Sequence, residues 1–97
     1  MPYNVYILEC ADGTYYTGLT SNLNQRLEDH QSGKRKSSYT FRRRPVKLVW
    51  KASFVNVLNA IEIEKKIKRW SAKKKKALIE EQWDLLKELS KKDFDQL

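Results

Sequence analysis

Residues Tyr3 to His30 read YNVYILECADGTYYTGLTSNLNQRLEDH, and the way this stretch folds decides how the rest of the chain is arranged. Tyr3 to Cys10 is apolar on both sides, with Val5 and Ile7 on one and Tyr6, Leu8 and Cys10 on the other. A strand of that kind belongs in the middle of a sheet. Ala11-Asp12-Gly13 is a turn, and Thr14 to Thr20 is a second strand. The loop length fixes which side chains share a face. A two-residue Asp-Gly loop pairs Cys10 with Tyr15 and sends Tyr6 and Tyr16 to opposite faces. A three-residue loop, a type I turn closed by Gly13 in a left-handed bulge, pairs Cys10 with Thr14 and Leu8 with Tyr16, so that Tyr6 and Tyr16 share a face. The three-residue loop is the favoured reading.

Beyond the hairpin, Thr20, Ser21 and Asn22 offer capping side chains for a helix over Asn22 to Ser32, with Leu23 and Leu27 inward and Gly33 at its end. On it Arg26 and His30 are four apart, hence neighbours. Lys34 to Arg44 reads KRKSSYTFRRR, a basic loop, before Pro45 and a third strand over Val46 to Phe54. Val57 to Trp70 forms a helix whose apolar stripe is Val57, Ala60, Ile63, Ile67 and Trp70. At about 100° per residue, Glu64 falls within that stripe and Glu62 points away from it. A carboxylate on an inward arc is costly to bury without a partner. Ser71 caps a last helix with Leu78, Gln82, Leu85, Leu86 and Leu89 on one face, and Lys73 to Lys76 opens it, where the helix dipole disfavours cations. The order β-β-α-β-α-α predicts an α+β sandwich: a three-stranded antiparallel sheet flanked by three helices. Residues 1–90 are expected to form one domain and 91–97 a frayed tail.

The composition suits a folded globule, with 40% apolar and 11% aromatic residues. No apolar run approaches the roughly eighteen residues of a membrane span, and the N-terminus lacks the form of a signal peptide. The single Cys10 cannot staple the fold and reads as a small buried hydrophobe, which fits a reducing cytoplasm. The charge is unevenly placed. Residues 1–33 carry one basic and four acidic side chains, 34–76 sixteen and two, and 77–97 three and six, so the net charges are −3, +14 and −3. Such a concentration of one sign is the footprint of a polyanion binder. Nucleic acid, DNA first, is the expected partner, held by Lys34, Arg35, Lys36, Tyr39, Arg42, Arg43, Arg44, Lys68, Lys73, Lys74 and Lys75. Tyr39 and Phe41 could stack on bases, and Ser37, Ser38 and Thr40 could donate to phosphates. Neither a membrane nor a small-molecule cofactor is expected, and the chain reads as a monomer. Trp50, Trp70 and Trp83 read as core.

Tyr6, Tyr16, Arg26, His30 and Glu64 together suit phosphodiester cleavage. That reaction needs a group to orient or deprotonate water, positive charge on the phosphorane oxygens, and help for the leaving oxygen. An arginine fork can hold two phosphate oxygens. One glutamate can anchor a Mg²⁺ ion that completes its octahedron with water and phosphate. Taken singly, each residue has a plainer role, in the core or in an ion pair.

At these positions the sequence resembles the GIY-YIG nuclease superfamily. Val5-Tyr6-Ile7 stands for the first signature tripeptide and Tyr16-Thr17-Gly18 for the second. Arg26 follows Gly18 by eight residues, and Glu64 with Ile67-Lys68 matches the glutamate helix. The likeness covers roughly residues 3 to 80 and is greatest to the small single-domain branch, similar to the nuclease domain of bacterial excision-repair endonuclease. The resemblance implies that Tyr6 orients or deprotonates the attacking water and Tyr16 contacts the phosphate or water network. It implies that Arg26 clamps the scissile phosphate, His30 assists proton transfer, and Glu64 holds Mg²⁺ or Mn²⁺. Gly18 would allow the backbone to approach closely beneath the site. The first tripeptide here lacks its glycine, and Lys76 stands where many members carry an asparagine. The implied activity is metal-dependent endonucleolytic cleavage of DNA, directed by structure rather than sequence, in repair or recombination. The alternative is a non-catalytic nucleic-acid-binding module on the same scaffold.

Overall fold

β1 (Tyr3–Glu9) is the middle strand of a three-stranded antiparallel sheet ordered β2-β1-β3 in the computed structural model, which describes residues 2–95. β2 is Tyr15–Thr20 and β3 is Lys47–Phe54. Val5, Tyr6, Ile7 and Leu8 are all fully buried because both faces of β1 are covered. The β1–β2 connection is the three-residue one. Gly13 takes φ 83°, its N–H donates to the Cys10 carbonyl at 2.9 Å, and the Cys10 N–H donates to the Thr14 carbonyl at 2.8 Å. Leu8 therefore lies opposite Tyr16 and Tyr6 opposite Gly18, so Tyr6 and Tyr16 share a face.

Helix α1 (Leu23–Ser32) packs Leu23 and Leu27 on the face bearing Tyr6, Leu8 and buried Cys10. The Asn22 side chain accepts the Gln25 N–H at 3.2 Å to start it, and Gly33 at φ 71° ends it. The other face, Val5 and Ile7, is covered by Ala60 and Ile67 of α2 (Val57–Lys68) and Leu78 of α3 (Ala72–Ile79), with Trp50 and Trp70 packed at the margin. The architecture is thus α+β, a sheet between two helical layers. A short 3-10 turn, Phe41–Arg43, closes the basic loop. At its base the Gln31 side-chain amide accepts the Val46 N–H at 3.1 Å and donates to the Val46 carbonyl, fastening the end of α1 to the start of β3.

The structure departs from the sequence reading after Ile79. The single last helix is two, α3 and α4 (Trp83–Asp95), giving four α-helices among the described residues. Glu81 sits at φ 56°, its N–H bonded to the Leu78 carbonyl at 3.1 Å, and the Gln82 N–H reaches the Ala77 carbonyl at 2.8 Å. This is the double hydrogen bond of a Schellman end. Part of the expected polar tail is accordingly helical as far as Asp95, and residues 96 and 97 lie outside those described. Trp83 is exposed rather than in the core, because the break turns it off the inward face.

Candidate active site

Tyr6 leaves the middle strand and lays its ring across the neighbouring strand at Gly18. A Cβ there would overlap the Cζ and Oη atoms of Tyr6. The absence of a side chain at Gly18 is what lets the phenol extend over β2 towards α1. There the Tyr6 hydroxyl meets His30 Nε2 at 3.0 Å, and His30 Nδ1 meets the Thr40 hydroxyl at 2.8 Å. Thr40 in turn lies 3.1 Å from the Ser38 hydroxyl. The Tyr16 ring stands edge-on to His30, with centroids 5.0 Å apart, and 6.3 Å from the Tyr6 ring. The Arg26 guanidinium lies beside the Tyr6 hydroxyl, and its Nε is buried without a hydrogen-bond partner among the described residues. Burial, with the neighbouring Tyr16, pushes the Tyr6 phenol up to about 12, against the pull of Arg26. Burial first, and then Arg26, holds His30 below the usual histidine value. At neutral pH the pair is therefore a neutral phenol on a neutral imidazole.

Glu64 and Glu62 differ as helical phase requires: the Glu64 side chain is 15% exposed, whereas Glu62 faces solvent. α2 lies chiefly against β2, the edge strand that Tyr6 crosses, and the Glu64 carboxylate is near enough to contribute to the rise of the Tyr6 phenol. Its ion-pair partner is Lys68, with Nζ 3.7 Å from Oε1. The Lys68 side chain is largely exposed, so this pair is worth only about 0–1 kcal/mol and leaves the carboxylate available. Among the described residues no three His, Cys, Asp or Glu side chains cluster. A lone carboxylate suits Mg²⁺, which keeps most of its waters and takes phosphate oxygens from its substrate, and does not suit an ion that demands a protein cage. Glu64 fits that mode of binding.

Between α1 and the basic loop lies a cleft of about 230 Å³, with Tyr16, Arg26 and His30 on one wall and Arg35, Ser38, Tyr39 and Thr40 on the other. The loop is more occupied with its own packing than its sequence suggests. Tyr39 stacks on Tyr16 with centroids 6.1 Å apart, and the Arg43 guanidinium covers it at 3.9 Å. Tyr39, expected to receive a base, is thus already in contact with two side chains of its own chain, and it remains 41% exposed. Arg43 also pairs with Asp12 at 3.1 Å, docking the β1–β2 turn. Arg44 covers Phe41 at 4.6 Å and donates to the Phe41 and Gln31 carbonyls. Arg43 and Arg44 therefore hold the loop's shape. Lys34, Arg35, Lys36 and Arg42 remain exposed, as do Lys68 and Lys73.

Lys74 and Lys75, expected to hold nucleic acid, are buried at 6% and 8% exposure. α3 turns them inward beside Ala77 and Leu78, and the Lys74 ammonium lies 4.5 Å from the Trp70 ring centre. Burial and Lys68 push the Lys75 ammonium down. Thr40 too lies deeper than expected. Read as a phosphate donor, it is 1% exposed and bonded to the imidazole. Nothing local marks it, since its partner lies ten residues away across an irregular loop.

A sheet that carries a tyrosine from each of two paired strands, an arginine and histidine on the next helix and a glutamate on a later one is the arrangement of a GIY-YIG catalytic domain. The chain belongs to the GIY-YIG family, whose catalytic-domain model matches residues 2–77. The family is of nuclease type, and its members generally use divalent metals. Among relatives, a UPF0213 protein of Syntrophus aciditrophicus is 46% identical over 79% of this chain and 88% of its own. One of Bacillus pumilus is 45% identical over 78% and 76%. The solution structure of a UPF0213 protein from Bacillus halodurans, 40% identical, covers 82% of this chain and 84% of its own with a TM-score of 0.55. That of a protein from E. faecalis, 30% identical over the same shares, scores 0.59. Among the described residues no helix is long and apolar enough to cross a membrane.

Proposed function

We propose that the protein is a divalent-metal-dependent endonuclease that hydrolyses DNA phosphodiester bonds, selecting its substrate by structure rather than sequence, in repair or recombination. The observation that carries this reading is the Tyr6 hydroxyl, bonded to His30 and flanked by the Arg26 guanidinium at a glycine-made crossing, with Glu64 close enough to act on it. Glu64 would hold Mg²⁺ or Mn²⁺, which supplies Lewis acidity to the phosphate and leaving oxygens. Tyr6 has no exposed surface in the free protein, and Arg26 and Tyr16 lie against it. A phosphate that draws the Arg26 fork onto its own oxygens uncovers the phenol. A phenol raised to about 12 is not a phenolate at neutral pH. Tyr6 therefore orients the water and passes a proton on to His30.

The test is a nicking assay with Mg²⁺ or Mn²⁺ on supercoiled, branched and single-stranded DNA. Glu64→Ala and Arg26→Ala should each lose about 10²-fold or more in rate, the scale of removing a charge-stabilising group. Equal rates for wild type and Glu64→Ala would sink the reading. The binding-module alternative has its own observation. Lys76, at the asparagine position, is exposed and lies 4.0 Å from Glu80. Wild type that binds DNA and cuts none of the substrates would favour it.

A further inference from the structure

We propose that Thr40 is a positioning residue: its hydroxyl fixes His30 in the tautomer protonated at Nδ1, leaving Nε2 to accept the proton of Tyr6. This rests on the nuclease reading for its catalytic consequence, but the tautomer itself follows from counting donors and acceptors.

A neutral imidazole has one N–H and one lone pair. Among the described residues the Tyr6 hydroxyl has one hydrogen-bond partner, His30 Nε2 at 3.0 Å, and so one acceptor for its proton. Were Nε2 protonated, it would donate to the phenol oxygen and the Tyr6 proton would be buried without an acceptor. That costs about 1–3 kcal/mol. Nε2 therefore carries the lone pair and Nδ1 the proton, which Thr40 Oγ1 accepts at 2.8 Å. The Thr40 hydroxyl is free to accept because its own proton can go to Ser38 Oγ at 3.1 Å. The result is a chain with one direction, Tyr6 to His30 to Thr40 to Ser38, and it joins β1 to α1 and to the basic loop.

In the reaction the attacking water forms its bond to phosphorus and gives a proton to the Tyr6 oxygen as the Tyr6 proton moves to Nε2. Tyr6 ends neutral and His30 becomes imidazolium. The bond from phosphorus to the leaving oxygen breaks, that oxygen takes a proton from solvent, and the imidazolium returns one. The groups that bear on His30 are Tyr6 and Tyr16 from the sheet, Arg26 and Asp29 on its own helix, and Arg35 from the loop. Of these, Asp29 alone favours the imidazolium, while burial, Arg26 and Arg35 oppose it. The wild-type acid limb should therefore lie below the usual histidine value.

The chain has one histidine, so ¹⁵N NMR reads this ring without ambiguity. The wild type should show Nδ1–H as the dominant neutral tautomer. Thr40→Val, nearly the same shape without the acceptor, should lower the Nδ1–H to Nε2–H ratio about tenfold, and Thr40→Ser should restore it. In the nicking assay Thr40→Val should lose about 10–100-fold in kcat with KM little changed, the scale of removing a partner that orients a functional imidazole. Thr40→Ser should recover most of the rate. A dominant Nε2–H tautomer in wild type overturns the proposal, as does a ratio that Thr40→Val leaves unmoved. If Thr40→Val does not fold, the wild-type and Thr40→Ser tautomers still decide. Finding Nδ1–H in a protein that cuts nothing would count against the nuclease reading and leave the Thr40 assignment standing.

Discussion

Gly18 sets the depth of the site. Its backbone is not left-handed, so its role is space: the Tyr6 ring lies where a Cβ would be, and both residues are buried. Gly18→Ala must push the phenol aside, away from His30, or spread the strands. Overpacking of that kind costs about 1–3 kcal/mol. The expected outcome is a lower urea midpoint with an unchanged m-value, and a loss of nicking beyond what the unfolded fraction explains; an unaffected midpoint would show that the ring has room to move. At this scale the sequence was legible wherever a periodicity applied. Glu64 separates from Glu62 by helical phase, and Tyr6 and Tyr16 share a face by loop length. Thr40 obeyed no periodicity. Its place is set by Gln31 gripping Val46 at the loop's base, a contact that spacing rules do not see.

Caps and turns with ordinary chemistry were also legible. Asn22, Gly13 and Gly33 lie where side-chain capping or a left-handed backbone is needed. The break between α3 and α4 was hidden because its left-handed residue is Glu81, which carries no signal for that conformation. A non-glycine residue there is strained by about 1–2 kcal/mol, part of which is offset because glycine has more freedom to lose on folding. Glu81→Gly should therefore stabilise the fold by about 0.5–1 kcal/mol, read as a rise of a few degrees in Tm, with the nicking rate unchanged because the break is remote from Tyr6 and His30. A fall in Tm would mean that the Glu81 side chain does more than tolerate its backbone. The basic loop was legible only in part for a similar reason. Composition identified arginines and aromatics, but whether an arginine meets a phosphate or an aromatic ring of its own chain depends on tertiary packing.

Across the whole molecule, the positive middle segment anticipated a polyanion partner, but net charge overstates how many cations can reach it. Arg43 and Arg44 cover Tyr39 and Phe41, and Lys74 and Lys75 are buried. Lys34, Arg35, Lys36 and Arg42 stay exposed on the basic loop, Arg35 among them lining the cleft, with Lys68 and Lys73 on α2 and α3. Each phosphate neutralised on duplex DNA contributes about −0.9 to the slope of log affinity against log salt. Replacing Arg35 and Arg42 together by alanine should make that slope shallower by about 2 and weaken binding alike for all sequences. Lys75→Met should leave the slope as it is and modestly raise the urea midpoint at neutral pH, since it removes a cation whose burial disfavours its charge. Its pKa is depressed on folding, so the unfolded chain binds the extra proton between the folded and unfolded values. Wild-type stability should then rise with pH through that window, and the gain from Lys75→Met should shrink over it. A slope that Arg35 and Arg42 leave unchanged, or that Lys75→Met reduces, would mean that the DNA approaches by the α3 side, and the cleft would lose its claim to the phosphate.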